Sequence, residues 1–261
     1  IIEEEISFTA FIGQTYNFLH LLCRMTKLSV NINKIATLRN ARGGNFPNLV
    51  EASINCQKFG ADGITIHPRP DQRHITRNDV TELKPTIKTE FNIEGYPSKE
   101  FINLILENKP EQVTLVPDGP NVITSCAGWD TIKNADFLKR IITNFRNQGI
   151  RTSIFVDPDL VMIEGAKICG SERIELYTED YARNYTFDRE KAILPYSTAA
   201  KKAGELGLEV NAGHDLNLEN LKYFNKMIPN LKEVSIGHAL VSDALYLGLE
   251  NVIQMYKRLL K

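Results

Sequence analysis

From Lys27 onward the chain alternates between short apolar runs rich in β-branched residues and longer segments whose apolar positions recur at helical spacing. The short runs are Leu28–Asn33, Gly63–His67, Thr89–Glu94, Gln112–Pro117, Arg151–Asp157, Arg173–Thr178, Leu208–Gly213 and Glu233–His238. Cores such as Ile64-Thr65-Ile66 and Ser153-Ile154-Phe155-Val156 suit strands enclosed by helices. Helical spacing runs through Asn48–Phe59, Ser98–Glu107, Ala135–Gln148, Asp159–Ile168, Lys191–Leu206 and Leu218–Met227. Ser98 and Asp159 stand where N-caps belong, and Pro229 follows its helix as a stop. Gly60, Gly149, Gly170 and Gly207 end their helices and return the chain to the next strand.

Strand–helix alternation predicts a parallel sheet with right-handed crossovers, and eight strands predict that it closes into a (β/α)8 TIM barrel. An open doubly wound sheet is the alternative. No G-x-G-x-x-G follows the first strand to support a dinucleotide site. The long segment 118–134, rich in Gly, Pro, Ser and Thr, is a candidate loop over the barrel mouth. Residues 1–24 do not share the rhythm. They lack the basic start and small-residue cleavage site of a signal peptide, and Met25-Thr26-Lys27 reads as a natural start. The expectation is a single barrel domain over residues 25–261, with 1–24 an extension outside the fold.

Composition narrows the function classes. Thirty-one basic against 32 acidic residues leave a net charge of −1, which argues against a nucleic-acid footprint and makes any anion binding local. No uninterrupted run of about 20 apolar residues predicts a membrane span. The four cysteines are scattered without zinc spacing, which points to reduced thiols and a cytoplasmic protein.

In such a barrel the active site lies at the carboxyl ends of the strands. Reactive side chains gather there: Asn31, Asn33 and Lys34 after strand one, with Arg39 and Arg42 behind them; His67, Arg69, Arg73 and His74 after strand two; Glu94 after strand three; Asp157 after strand five; Glu175 and Thr178 on strand six. Strands seven and eight deliver Asn211 with Gly213-His214, and Gly237-His238. Four of five histidines fall on this rim, the fifth being His20. Gly213-His214 and Gly237-His238 set backbone N–H groups beside an imidazole, a combination that suits phosphate. Arg69, Arg73 and His74 could hold a second anion. Two cationic clusters suggest two phosphorylated ligands or one bisphosphate. His67, Glu94 and His214 form an acid/base set able to work near neutral pH. Nothing has metal-ligand spacing, which favours metal-free proton transfers. The bland readings are that His67 fills a barrel layer, that Glu94 pairs with Arg69, that Glu175 is structural, and that Asp157 only starts the next helix.

The motifs V-N-I-N-K-I-A-T-L-R-N-A-R-G (Val30–Gly43), G-A-D-G-I-T-I-H-P-R-x-D-x-R-H-I-T (Gly60–Thr76), N-I-E (Asn92–Glu94), L-V-P (Leu115–Pro117), V-N-A-G-H (Val210–His214) and I-G-H-A (Ile236–Ala239) follow one another in order. Together they resemble the pyridoxine 5′-phosphate synthase family of vitamin B6 biosynthesis. The resemblance implies a barrel with extra helices, assembled as a homo-octamer built from dimers, without metal or organic cofactor. It implies condensation of 1-deoxy-D-xylulose 5-phosphate with 3-amino-2-oxopropyl phosphate, releasing phosphate and water. His67 and Glu94 would be general bases and His214 the general acid. Asn31, Arg42, Gly237 and His238 would hold the aminoketone phosphate, with Asp215 contributing through its backbone. Asn33, Lys34, Arg69, His74 and Thr124 would contact the pentulose phosphate. The chain departs from the family pattern in carrying Asn33-Lys34 where Asp-His is more usual and Asp215 where glycine is common. A third departure is Asp118–Pro120, which differs from the more charged loop the resemblance implies. Rival readings are a sugar-phosphate aldolase or isomerase and a non-catalytic phosphometabolite-binding protein. A Schiff-base aldolase would want a lysine on strand six, which offers Tyr177 and Thr178, leaving Lys34 as the strand-end candidate.

Overall fold

The structure, a computed structural model, describes residues 26–118 and 127–261. Eight parallel strands close on themselves in sequence order: β1 (Lys27–Asn31), β2 (Gly63–Ile66), β3 (Glu90–Gly95), β4 (Gln112–Leu115), β5 (Arg151–Val156), β6 (Arg173–Tyr177), β7 (Glu209–Gly213) and β8 (Leu231–Ile236). The barrel seals where Val30 of β1 pairs with Ile236 of β8. Helices α1 (Asn33–Arg42) and α2 (Leu49–Lys58) follow β1, and α3 (Arg77–Leu83), α4 (Lys99–Asn108), α5 (Ala135–Asn147) and α6 (Leu160–Cys169) follow the next strands in turn. Next come α7 (Glu179–Glu205) and α8 (Leu221–Met227), and α9 (His238–Leu247) and α10 (Leu249–Leu259) complete the chain. The expected barrel with extra helices is what the chain forms.

Two-residue alternation divides each strand between two environments. Outward residues such as Ile64, Ile93, Val113, Ile154, Ile174 and Val234 have no exposed surface and pack against the helices, and this layer is the hydrophobic core. The inner face is polar. Ser29 Oγ and Thr65 Oγ1 lie 2.7 Å apart, Asn92 donates to Thr65 Oγ1 at 3.3 Å, and Thr114 donates to Asn92 Oδ1 at 3.0 Å. A hydrogen-bonded girdle thus crosses four strands. Nearer the strands' amino ends Arg173 donates to Gln112 at 2.9 Å and pairs with Glu90 at 3.1 Å and Glu209 at 2.6 Å.

The expected caps are present: Ser98 accepts from Phe101 N–H at 3.2 Å, and Asp159 from Val161 and Met162 N–H at 2.8 and 3.1 Å. Most strand boundaries shift from the periodicity by one or two residues. Asn33 opens α1 rather than ending β1, and His238 opens α9 rather than ending β8. Helix α7 begins at Glu179, well before Lys191, and is broken at Asp188 (φ −158°, ψ 86°). Its first part is held by aromatic packing of Tyr181 on Tyr196 and Phe224, an interaction helical spacing alone does not reveal.

Candidate active site

The strand ends bring His67, Glu94 and His214 to one mouth. His67 follows β2 and is buried, and its Nδ1 lies 3.9 Å from Glu94 Oε2 at the end of β3. Its backbone N–H donates to Asn33 Oδ1 at 2.9 Å, while Asn33 N–H donates to Asn31 Oδ1 at 3.0 Å. The two asparagines therefore bind β1 to β2 at the mouth. Burial, then the charge of Arg69 and the imidazoles of His74 and His214, hold the His67 pKa well below 6.5. A neutral His67 is a ready proton acceptor.

Glu94 moves the other way. Burial first, then the carboxyls of Glu175, Asp118 and Glu233, push its pKa well above the usual carboxylate range, against a hydrogen bond from Ser235. Glu175, buried on β6, is pushed up to about 7 by burial against a hydrogen bond from Thr114. Two apposed carboxyl groups in a dry interior cannot both ionise cheaply, so they hold a proton near neutral pH. Glu175 belongs with the site. Gly213 makes room for it: a β-carbon there would stand 2.3 Å from Glu175 Oε1.

His214 follows Gly213 at the mouth, with part of its surface open. Its ring packs 5.4 Å from Phe155 and 5.2 Å from Tyr177, centroid to centroid. Crowding lowers its pKa and Lys34 lowers it further, while Asp215, Asp118 and Glu179 favour its charged form. His214 and Asp215 both have left-handed backbone, φ 73° and 54°. Aspartate is among the residues that tolerate this conformation, so Asp215 keeps the turn a glycine would make. The Asp215 carbonyl accepts from Asn220 at 3.1 Å, and Thr178 Oγ1 donates to the carbonyl of Gly213 at 2.7 Å and to that of His214.

The second expected cluster is gathered in part. The His74 ring lies 6.3 Å from that of His67, and its Nδ1 accepts from Ile75 N–H at 2.9 Å. Burial, then Arg69 and Lys34, lower its pKa to about 4. Arg69 is buried and pairs with Asp118 at 3.3 Å, not with Glu94. Arg73 turns to Asp71 on the surface. Gly237 opens α9 so close to β1 that an added β-carbon would lie 3.1 Å from Asn31 Cβ, and the exposed His238 follows it. Arg42 is exposed in the last turn of α1, roughly 13 Å along the helix from Asn33, and is not gathered with Gly237 by any described contact. Thr124, with the rest of residues 119–126 of the expected mouth loop, lies outside the described residues. The end of that loop is anchored: Gly128 N–H donates to Asp157 at 3.0 Å and Trp129 Nε1 to the Leu115 carbonyl at 3.0 Å. Asp157 thus holds a loop, while Asp159 starts α6.

Sequence reasoning placed Glu175 on the rim without assigning it a role, and left Phe155 and Tyr177 out of the site set. The signal was present as alternation, since Arg173, Glu175 and Tyr177 share one face of a strand whose other face is Ile174 and Leu176. Among the described residues no three His, Cys, Asp or Glu side chains are grouped to hold a metal ion, and no helix is long and apolar enough to cross a membrane. Cys56 and Cys169 are buried thiols whose pKa burial raises to about 12 and about 11.

Comparison with known proteins shows the family of the chain. Residues 28–261 match the family described as pyridoxal phosphate biosynthesis protein PdxJ. The chain is 63% identical over 237 residues to pyridoxine 5′-phosphate synthase of Bacteroides fragilis and equally to that of Christiangramia forsetii. Each alignment covers 91% of this chain and 100% of the relative. Among solved structures, an N-(5′-phosphoribosyl)anthranilate isomerase from Pyrococcus furiosus superposes with a TM-score of 0.59 at 12% identity, covering 90% of this chain and 98% of that one. A 4-hydroxy-2-oxoglutarate aldolase/2-deydro-3-deoxyphosphogluconate aldolase from TTHB1 gives 0.59 at 15% identity, covering 93% and 98%. At these identities the structures share the barrel alone.

Proposed function

The chain belongs to the PdxJ family and is an enzyme of vitamin B6 synthesis, and from that premise we propose that it condenses 1-deoxy-D-xylulose 5-phosphate with 3-amino-2-oxopropyl phosphate to pyridoxine 5′-phosphate. The reaction is metal-free and releases inorganic phosphate and two waters. It requires an amine to add to a ketone, protons to leave carbons next to carbonyls or imines, a carbon–carbon bond to close the ring, and oxygen groups to depart as water and phosphate. Each step is assisted by proton transfer to or from a positioned group.

The observation that carries the reading is the pair His67 and Glu94, 3.9 Å apart with pKa values driven in opposite directions. Neutral His67 removes a carbon-bound proton at once. Glu94 acts as a base once its proton has passed on, with Glu175 able to take a share of the charge. His214, whose pKa burial lowers against the pull of Asp215, Asp118 and Glu179, readily gives up a proton and protonates the departing oxygen. Asn31, Gly237, His238 and the Asp215 backbone hold the aminoketone phosphate, with Arg42. Asn33, Lys34, Arg69, His74 and Thr124 contact the pentulose phosphate. Lys34 suits this role, being exposed and close enough to His74 and His214 to lower both their pKa values.

The enzyme works in the cytoplasm as a homo-octamer built from dimers. Leu38 (55% exposed), Phe46 (86%), Leu245 (71%) and Tyr246 (88%) on α1, the following loop and α9 supply apolar surface for such contacts. The test is to incubate purified enzyme with both substrates after chelation of metals. Pyridoxine 5′-phosphate and one phosphate per turnover are expected. Folded enzyme that forms no product would overturn the proposal, and borohydride trapping of a substrate on Lys34 would favour a Schiff-base aldolase.

A further inference from the structure

Helix α1 grips the loop between β2 and α3 at both ends. At the mouth, Asn33 accepts the His67 N–H at 2.9 Å. Further along, the buried Arg39 forks onto Asp79, Nη1 to Oδ1 at 2.6 Å and Nη2 to Oδ2 at 2.8 Å. The same Nη2 donates to the His74 carbonyl at 3.2 Å. The neighbouring Asn40 donates from Nδ2 to that carbonyl at 2.8 Å and to the Arg73 carbonyl at 3.1 Å, while its Oδ1 accepts from Arg39 Nε at 3.0 Å.

These bonds exceed what α3 needs for its start. Thr76 and Asp79 already form a complete reciprocal cap there. The extra donors converge on the carbonyl of one residue, His74, whose ring faces His67. The His74 Nδ1 accepts the Ile75 N–H, so in the neutral ring the proton is on Nε2, which is therefore a donor of fixed direction. A donor fixed in this way suits a phosphate or sugar oxygen, and its aim depends on the backbone that carries it.

We infer that Arg39 and Asn40 are positioning residues that set the His74 imidazole, and through it the pentulose phosphate, relative to His67. The inference rests on the proposal above that His74 contacts the pentulose phosphate. Asn40 is exposed, so its side chain can be removed without opening the core. Arg39 is buried on Asp79, and its loss would strand a carboxylate.

The experiment is calorimetric titration of each substrate into wild type, Asn40→Ala, His74→Ala and the double variant, with kcat and melting temperature measured on each. Asn40→Ala should weaken binding of 1-deoxy-D-xylulose 5-phosphate by about 3- to 10-fold. It should leave aminoketone phosphate binding and the melting temperature near wild type. His74→Ala should weaken the same substrate, and adding Asn40→Ala to it should cost nothing more. Arg39→Lys, which keeps the charge but not the fork, should follow Asn40→Ala in the same substrate. If His74→Ala binds the pentulose phosphate as wild type does, the reading of His74 fails and this inference with it. If His74→Ala is impaired but Asn40→Ala is not, the inference alone fails. Equal weakening of both substrates with a lowered melting temperature would also overturn it, since that marks a merely structural brace.

Discussion

Gly213 lies directly over the Glu175 carboxylate, so close that a β-carbon at 213 would stand 2.3 Å from Oε1. The glycine that ends β7 therefore does two things. It leads the chain into the His214 turn, and it leaves a slot in which a buried carboxyl can stand beside Glu94. Substituting Gly213→Ala should drive Glu175 out of this slot. We expect kcat to fall about 10²-fold, the scale of an ångström-sized displacement in an active site. Gly213→Ala added to Glu175→Gln should cost little more than Glu175→Gln alone. Additive losses would mean that the glycine acts elsewhere.

The Glu94–Glu175 pair makes a prediction about pH. Glu94 must ionise to act as a base, and an ionised Glu175 opposes this. The acid limb of kcat/KM should accordingly rise near or above neutrality rather than near 4.5. In Glu175→Gln the opposing charge is gone, Glu94 ionises more easily, and the limb should move toward lower pH. A limb that stays in place in this variant would disconnect the two groups.

Stability should move against activity at the same residue. The folded-state pKa of Glu175, about 7, lies above the usual 4.5. Its folded state thus holds a proton that the unfolded chain has lost, and stability falls as pH rises from about 4.5 through about 7. Glu175→Gln lacks this penalty and should be the more stable protein at pH 8, by up to about 3 kcal/mol. At pH 4 the difference should vanish. Denaturant unfolding at the two pH values measures it.

His74 has the opposite sign. Its folded-state pKa, about 4, lies below 6.5, so the unfolded chain takes up a proton first as pH falls. Wild type should lose stability relative to His74→Gln between about pH 6.5 and about pH 4, by roughly 2 kcal/mol after allowance for its partial exposure. A constant difference across this window would show that the ring is not held neutral.

Much of this architecture was legible in the sequence because barrels repeat one rule. Apolar alternates such as Ile174 and Leu176 announce the strand, and glycines with positive φ such as Gly170 end the helices. The gathering of His67, Glu94 and His214 followed once strand ends were placed on one rim. What escaped was lateral. That Arg69 would meet Asp118, that Asp157 would hold Gly128, and that Glu175 would stand under Gly213 are contacts between neighbouring loops and strands. They depend on register, which no single run of residues specifies.

Asn33 offers the sharpest test of what an uncharged side chain at the start of α1 does. Its Oδ1 accepts the His67 N–H, a role a carboxylate fills equally well. An aspartate would add a negative charge beside both His67 and Glu94. That charge would favour imidazolium on one and the neutral acid on the other, raising both pKa values. Asn33→Asp should therefore keep substrate binding and maximal turnover while moving the acid limb of the rate profile to higher pH. Asn33→Ala, which leaves the His67 N–H without its acceptor, should lower kcat with no such displacement. If Asn33→Asp leaves the limb unmoved, the amide does not tune the acid/base pair and serves only to join β1 to β2.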